Sequence, residues 1–235
     1  MRVLALDTTT RAGSLALAED RRVLLERAGE AATSQAERFP GEIVDALAAV
    51  GWSTADIDLY AVAAGPGSFT GLRIGIATIQ GLALVHSKRV APVSALDALA
   101  AAANAMKPGL ERVGVWMDAH RREVFSALYR AAGSDQPFPF VEIEGAMSGL
   151  PADVLARWSH LGLPSAVCGD GAVTYGAALP DGIEVIAPPP LASFVAQLAF
   201  DVVARGGAVS PAAVQPVYVR RPDVEIARDR ASGER

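Results

Sequence analysis

The chain has 235 residues, of which 51% are hydrophobic, a composition that supplies a sizeable core and excludes general disorder. Its formal net charge of −5 at pH 7 excludes recruitment to nucleic acid by overall charge alone. Cys168 is the single cysteine, so an internal disulfide is excluded and a reducing compartment is indicated. The first residues form a strand pattern without a basic-then-apolar leader, and we therefore expect a soluble, cytoplasmic protein.

The first part of the chain predicts three strands, a helix and a fourth strand. Short apolar runs at residues 2–7, 14–18 and 22–27 are joined by tight turns, which favours an antiparallel meander. Ser34 and Glu37 have the spacing of a capping box and predict a helix over 34–50, with a kink at Pro40. A buried strand at 59–64 follows, and a glycine-rich segment connects it to the next helix.

The helix predicted over residues 70–85 is apolar on nearly every side. Such a helix must be covered on two faces, so one of them needs another helix or another chain. A membrane span is the rival interpretation, but the run is shorter than ~20 residues and contains Arg73 and Gln80. The pattern therefore favours a buried or interface helix, in which the guanidinium of Arg73 needs an acidic or carbonyl partner.

The glycine-rich segment at residues 65–71 resembles a phosphate-binding loop only superficially. Such a loop needs Lys followed by Ser or Thr after its last glycine, whereas Leu72 and Arg73 stand there. We therefore interpret the segment as a tight turn that starts the helix, with Ser68 or Thr70 as its N-cap.

A strand at 90–93 and a helix at 94–106 complete the first series of predicted elements. A second series begins after residues 107–109. Its predicted elements are strands at 112–117, 123–130 and 138–143, a helix at 151–162, a strand at 165–168, a loop at 169–172 and a helix at 191–205. Residues 217–219 are either a last strand or an extended arm, and the charged tail 221–235 is expected to be mobile. Because Asp7 and Asp118 each close the first strand of a series, the order indicates an internal duplication.

A duplicated strand–strand–strand–helix–strand–helix unit predicts an α/β protein with two ribonuclease-H-like lobes, the architecture of actin, heat-shock ATPases and sugar kinases. The predicted lobes are residues 1–107 and 110–220, the second of them degenerate. Relatives of this kind hold magnesium and phosphate at the ends of their first strands. Asp7 and Asp118 have two interpretations here, a metal–phosphate site between the lobes or acids that cap turns at strand ends.

Five segments carry a sharper resemblance, to the TsaB (YeaZ) family. They are Leu6-Asp7-Thr8-Thr9, the glycine-rich run 65–75, residues 80–83, residues 118–121 and residues 216–220. The resemblance spans nearly the whole chain. It implies a non-catalytic subunit of the complex that makes threonylcarbamoyladenosine beside the anticodon of tRNA.

Partners and interface residues are also implied by this resemblance. The chain would bind a TsaD-like catalytic subunit through the two first-lobe helices, 34–50 and 70–85, and would form a homodimer when alone. It would work with a TsaE-like ATPase and contact tRNA indirectly, through the complex. No membrane partner is implied. The interface residues that it implies are Gly67, Ser68, Phe69, Thr70, Gly71, Arg73, Ile74, Gly75, Ile76, Ala77 and Gln80.

A degenerate cofactor site is expected at Asp7, Thr8, Thr9 and Asp118, because threonine side chains fill a turn where kinase-like relatives have glycine. We expect no cofactor or metal of its own, with ATP, ADP and a metal bound only in the partner complex. The alternative is a stand-alone nucleotide-dependent kinase or ATPase that uses Asp7 and Asp118.

Other activities find little support in the sequence. A nuclease needs several carboxylates for its metals, and no Asp or Glu occurs between Asp58 and Asp97. TsaD relatives carry a His-x-x-x-His pair on their first helix, whereas the histidines here are isolated, at positions 86, 120 and 160. Neither Ser68 nor Cys168 has a histidine partner that would make it a nucleophile.

Overall fold

The computed structural model describes residues 1–30, 32–132 and 138–220, so the predicted mobile tail 221–235 lies outside the described residues. Two five-stranded sheets form the framework. The strands are β1 (Arg2–Asp7), β2 (Ser14–Glu19), β3 (Arg22–Ala28), β4 (Leu59–Gly65), β5 (Arg89–Ser94), β6 (Arg112–Asp118), β7 (Val124–Ala131), β8 (Phe140–Gly149), β9 (Ala166–Cys168) and β10 (Glu184–Ile186). The helices are α1 (Gln35–Ala49), α2 (Phe69–Val85), α3 (Ala95–Met106), α4 (Pro151–Leu161), α5 (Asp170–Tyr175) and α6 (Ala192–Ala204), with short 3₁₀ turns at Thr54–Asp56, Gly176–Ala178 and Pro211–Ala213.

The two sheets repeat one topology. The first has the order β3-β2-β1-β4-β5 and the second has the order β8-β7-β6-β9-β10. In each, the first three strands form an antiparallel meander and the remaining two run parallel to the central strand. The predicted duplicated α/β fold is therefore confirmed.

Side-chain alternation along β1 explains how the layers assemble. Val3 and Ala5 face α3 and α6, which lie between the two sheets, whereas Leu4 and Leu6 face α1 and α2 on the outside. Because strand side chains alternate between faces, one apolar strand serves two cores. The outer face of the second sheet is covered by α4 and α5, which pack around Trp116.

The chain returns to its first sheet near its C-terminal end. Helix α6 follows the strands of the second sheet in sequence, yet it contacts β1, β2 and β5. The segment beyond it also returns, because the amide of Val209 donates to the Val90 carbonyl and the amide of Val217 donates to the Ala64 carbonyl. Residues 217–219 are therefore an extended arm on the first sheet and not a strand.

The structure corrects two local predictions and adds one element that was not predicted. The capping box at Ser34 is absent, because its side chain makes no cap hydrogen bond. The side chain of Gln35 instead donates to the Thr10 carbonyl at 2.7 Å and ties the start of α1 to the β1–β2 turn. Residues 169–172 are not simply a loop, since α5 begins at Asp170, and the three-residue strand β10 was not predicted. Both elements are too short to give a periodic pattern.

The described residues cover helix α2 on one face and leave its other face open. Leu72, Ile79 and Ala83 lie in the core, whereas Leu84 and Val85 are 71% and 77% exposed. None of the helices in the described parts of the chain is long and apolar enough to cross a membrane. The apolar surface of α2 is therefore divided between an intrachain core and an open face.

Candidate functional site

The glycine-rich segment closes on the threonine turn that follows β1. A Cβ atom at Gly67 would come within 2.6 Å of the Thr9 Cβ, and one at Gly75 within 2.2 Å of the Thr8 Oγ1. The amide of Ser68 donates to the Thr9 carbonyl at 2.8 Å. These glycines therefore allow close packing inside the chain, and the motif does not form an open phosphate cradle.

Ser68 is the N-cap of α2, which confirms one of the two predicted alternatives, Ser68 and Thr70. Its hydroxyl accepts a hydrogen bond from the Gly71 amide at 3.2 Å. A Cβ at Gly71 would lie 2.0 Å from the Thr8 carbonyl oxygen, so this position is also used within the chain. Contacts at both Ser68 and Gly71 thus hold the first turn of α2 against the threonine turn that follows β1.

The C-terminal arm packs on the same end of α2. Gly65 has φ +125°, and a Cβ there would lie 2.6 Å from the Val217 carbonyl oxygen. Further along the helix, the Gln80 side-chain amide donates to the carbonyls of Pro211 and Val214 at 2.9 and 3.2 Å. The side-chain amide of Gln80 therefore holds the segment that precedes the arm.

Arg73 is exposed, so the prediction that it is buried and needs an acidic or carbonyl partner is wrong. Its Nε donates to the Tyr218 hydroxyl at 3.1 Å, and its guanidinium lies 4.0 Å from the centre of the Phe69 ring. A guanidinium at the surface keeps its water and needs no carboxylate. The contacts with the two rings nevertheless hold it over the first turn of α2.

An open face runs along α2, and it contains only part of the predicted interface set. Phe69 is 41% exposed, and Val44 on the adjoining α1 is 62% exposed. Ile76, by contrast, is only 5% exposed and lies in the intrachain core, so it is not part of the open face. We define the open face as Phe69, Thr70, Arg73, Ile74, Ala77, Gly81, Leu84 and Val85. Of these, sequence reasoning missed Gly81, Leu84 and Val85, although they continue the helical spacing that begins at Thr70 and Ala77.

Asp7 lies buried at the end of β1. Its Oδ1 accepts hydrogen bonds from the Thr9 amide at 2.9 Å and the Thr9 hydroxyl at 2.6 Å. Burial raises the pKa of the Asp7 carboxyl, and the two bonds from Thr9 oppose that rise. The threonine turn thus occupies this carboxylate with its own donors.

A cleft of about 310 Å³ between the lobes is lined by Asp7 and Asp170. Burial is also the main cause that raises the pKa of the Asp170 carboxyl, with a smaller contribution from the charge of Asp118. The residues that line the cleft in the described part of the chain include no Lys, Arg or His. Two carboxyls without a cation do not favour a phosphate group there. No cluster of three or more metal-ligating side chains occurs among the described residues.

Asp118 is not among the residues that line this cleft. The cleft therefore brings Asp7 together with Asp170, and not with Asp118 as the sequence suggested. The Asp118 carboxylate accepts hydrogen bonds from the His120 amide at 2.9 Å and the Tyr175 hydroxyl at 3.1 Å. Its amide donates to Asp170 at 3.0 Å. Asp170 was missed as a candidate, although its position between Gly169 and Gly171 after a short strand is a recognisable signal.

Comparison with known proteins identifies the family. Residues 29–164 match the family model of TsaD, tRNA N6-adenosine threonylcarbamoyltransferase. Across 94% of this chain and 95% of its own length, the tRNA threonylcarbamoyladenosine biosynthesis protein TsaB of Escherichia coli K12 is 34% identical. The chain belongs to the TsaB family.

Solved structures agree with this family membership. YeaZ from Pseudomonas aeruginosa matches with a TM-score of 0.79 and 30% identity, covering 92% of this chain and 99% of its own. Component A of the (R)-2-hydroxyglutaryl-CoA dehydratase of Acidaminococcus fermentans matches with a TM-score of 0.51 and 12% identity, covering 87% of this chain and 99% of its own. The second likeness shows a common fold alone.

Proposed function

We propose that this family member is a non-catalytic subunit in tRNA threonylcarbamoyladenosine biosynthesis, and that it binds and supports a TsaD-like catalytic subunit through the open face of α2. The observation that carries the proposal is that Leu84 and Val85, two apolar side chains at the end of an apolar helix, are exposed. Apolar side chains exposed together on a helix indicate a protein partner, because covering them removes apolar area from water.

A TsaD-like partner is favoured over an unrelated protein because of the family match. The matched segment, residues 29–164, contains both α1 and α2, so a TsaD-like chain is expected to present a corresponding helix pair. Related surfaces can meet around an approximate twofold axis, as identical surfaces do in a symmetric dimer. We therefore propose that the same face forms a homodimer when the chain is alone.

A supporting role, and not a catalytic one, fits the geometry around Asp7. The Asp7 carboxylate accepts from Thr9, the Asp118 carboxylate accepts from His120, and the described residues that line the cleft include no cation for phosphate. A stand-alone kinase or ATPase would need Asp7 and Asp118 to face one cleft, and only Asp7 does so. We propose that ATP, ADP, metal and a TsaE-like ATPase act only at the level of the assembled complex, which reaches tRNA in the cytoplasm.

Sedimentation of the full chain, alone and mixed with a TsaD-like subunit, tests the docking surface. Val85→Glu places a charge on the open face, and Val173→Glu is the matched control because Val173 is 56% exposed on α5 of the second lobe. We expect Val85→Glu to lose both the homodimer and the complex while Val173→Glu retains them. Ile76→Glu is unsuitable because it would place the charge in the core.

Circular dichroism and thermal unfolding of both variants are the control that tests whether each variant is folded. If folded Val85→Glu associates like the wild type, the open face is not the docking surface. If the wild-type chain neither dimerises nor binds the TsaD-like subunit, the scaffold function itself is contradicted.

A further inference from the structure

We propose that the cleft between the lobes binds a small organic cation, a primary ammonium group on a short aliphatic chain, through the carboxylates of Asp7 and Asp170. The volume of the cleft, about 310 Å³, suits a small ligand. The residues that line it share no member with the open face of α2, so this proposal does not depend on the docking function.

One oxygen of the buried Asp7 carboxylate is left for a ligand. Its Oδ1 accepts both hydrogen bonds from Thr9, whereas its Oδ2 accepts none from the residues that the structure describes. Among those residues, the side-chain oxygens that are fully enclosed and lack a partner are those of Thr8 and Ser126. The Oδ2 of Asp7 therefore keeps access to solvent although the residue is only 2% exposed, and Asp7 lines the cleft. A carboxylate oxygen in such a place needs a donor, which a ligand in the cleft can supply.

Asp170 supplies the second carboxylate. Its Oδ1 accepts from the amides of Asp118 and Gly171 at 3.0 and 2.9 Å, which fixes the side chain, while its Oδ2 accepts no hydrogen bond from the described residues. Burial is the main cause that raises the pKa of the Asp7 carboxyl, and the charge of Asp170 raises this pKa further. The two carboxylates thus repel each other, and a bound cation offsets that repulsion. An ammonium group has three donors and can serve both acceptors.

The walls of the cleft fit an aliphatic chain. Leu99, Met117 and Leu191 line it, and each of these side chains is buried. The prolines at 188–190 complete this apolar wall. A magnesium ion keeps several waters and prefers an octahedron of oxygens. A mainly apolar wall with two carboxylates therefore favours an organic cation over a hydrated metal ion.

An anion finds no free donors at this place in the described part of the chain. The amide of Ala192, which begins α6, donates to the Ser14 hydroxyl at 3.0 Å, and the amide of Ser193 donates to the Glu26 carboxylate at 2.8 Å. The prolines of the wall have no N–H to donate. Since the described lining residues also include no Lys, Arg or His, the ligand has to bring the donors and the positive charge itself.

Thermal unfolding of the full chain with n-butylammonium chloride tests the proposal. The uncharged probe of similar shape is n-butanol, and sodium chloride is the control for ionic strength. A ligand that binds only the folded protein raises the unfolding midpoint. We expect a dissociation constant on the order of 1 mM and, at about ten times that concentration, a rise of roughly 3–6 °C. Neither n-butanol nor sodium chloride should produce this rise.

Asp7→Asn and Asp170→Asn test the two carboxylates separately. Each amide keeps an oxygen for the hydrogen bonds that the chain already makes, but the negative charge is removed. We expect each variant to bind n-butylammonium on the order of tenfold more weakly, because hydrogen bonds to charged groups are stronger than those to neutral groups. Asp153→Asn is the matched control and should bind like the wild type, since Asp153 is exposed in the first turn of α4, on the outer side of the second sheet.

Amide chemical shifts in the wild-type chain locate the bound cation. The amides of Thr9 and Gly171 donate to the two carboxylates, so both signals should move as n-butylammonium is added. An equal rise in the midpoint with n-butanol, or wild-type affinity in both cleft variants, overturns the proposal. Magnesium chloride moving these signals when n-butylammonium does not also overturns it, because the cleft would then hold a metal ion. Sedimentation decides the docking function independently of each of these results.

Discussion

The rings of Phe69 and Tyr218 stack with their centroids 5.2 Å apart and their planes 28° apart. The first belongs to the opening turn of α2 and the second to the C-terminal arm, so the stack fastens the last described residues to the central helix of the chain. Arg73 lies over one ring and donates to the hydroxyl on the other. The arm therefore forms one edge of the open face.

A double-mutant cycle measures the strength of this stack. We expect Phe69→Ala and Tyr218→Ala to be coupled by about 0.5–1.5 kcal/mol in urea unfolding, because stacked rings interact beyond their buried area. The pair Val85→Ala and Tyr218→Ala is the control and should be additive, since Val85 is at the other end of α2. Additive effects for Phe69 and Tyr218 would mean that the rings touch without stabilising the arm.

Two glycines on α2 should respond in opposite ways to the same substitution. Gly75→Ala should destabilise the fold by about 1–3 kcal/mol, because its Cβ would meet the side chain of the buried Thr8 at 2.2 Å. Gly81→Ala should stabilise it by about 0.5–1 kcal/mol, because a Cβ there meets nothing within 4 Å and alanine favours the helix. Chemical unfolding of both variants checks this, and equal effects would contradict the packing of Thr8 against α2.

Asp7 should make the fold less stable as the pH rises. Burial raises the pKa of this carboxyl above its ordinary value of 3.8, so its contribution is complete below that value and is lost as the pH rises through the raised pKa. We expect Asp7→Asn to gain stability relative to the wild type between acid and neutral pH, since the amide oxygen can still accept from Thr9. Urea unfolding across this range measures the difference.

The outcome that contradicts this prediction is a difference between Asp7→Asn and the wild type that does not change with pH. It would show that the Asp7 carboxyl is solvated in solution.

Cys168 should be inert in the folded protein. The thiol is fully buried, and burial raises its pKa to about 12, so almost none is thiolate at pH 8. We expect no reaction with a disulfide reagent under native conditions and complete reaction in denaturant. Fast native labelling would show that β9 opens readily.

The meander of β1, β2 and β3 and the helix after the glycine-rich segment were predictable because each depends on local patterning. Apolar runs of strand length, turn residues between them and the Ser68 N-cap all act over a few neighbouring residues. The duplication was predictable for the same reason, since both halves repeat the order of elements. α5 and β10 were not predictable, because elements this short carry no period.

The candidate site was predicted less completely. The residue types pointed to Asp7 and to α2, but the sequence could not show that Asp170 shares the cleft with Asp7 or that Ile76 faces inward. Those facts depend on residues far apart in the chain. The sequence of α2 is apolar on nearly every side, so it does not indicate which side packs against the rest of the chain. For this reason Arg73 was predicted to be buried.

By itself, the sequence determined the α/β class, the duplicated order of strands and helices and the apolar character of α2, because local propensity and periodicity encode them. Only the tertiary structure decided which face of α2 stays open, that the glycines close on Thr8 and Thr9, and that Asp118 accepts hydrogen bonds from His120 and Tyr175. Each of those outcomes depends on a contact between distant segments. Such contacts are fixed by the packing of the whole chain and leave no periodic signal in the sequence.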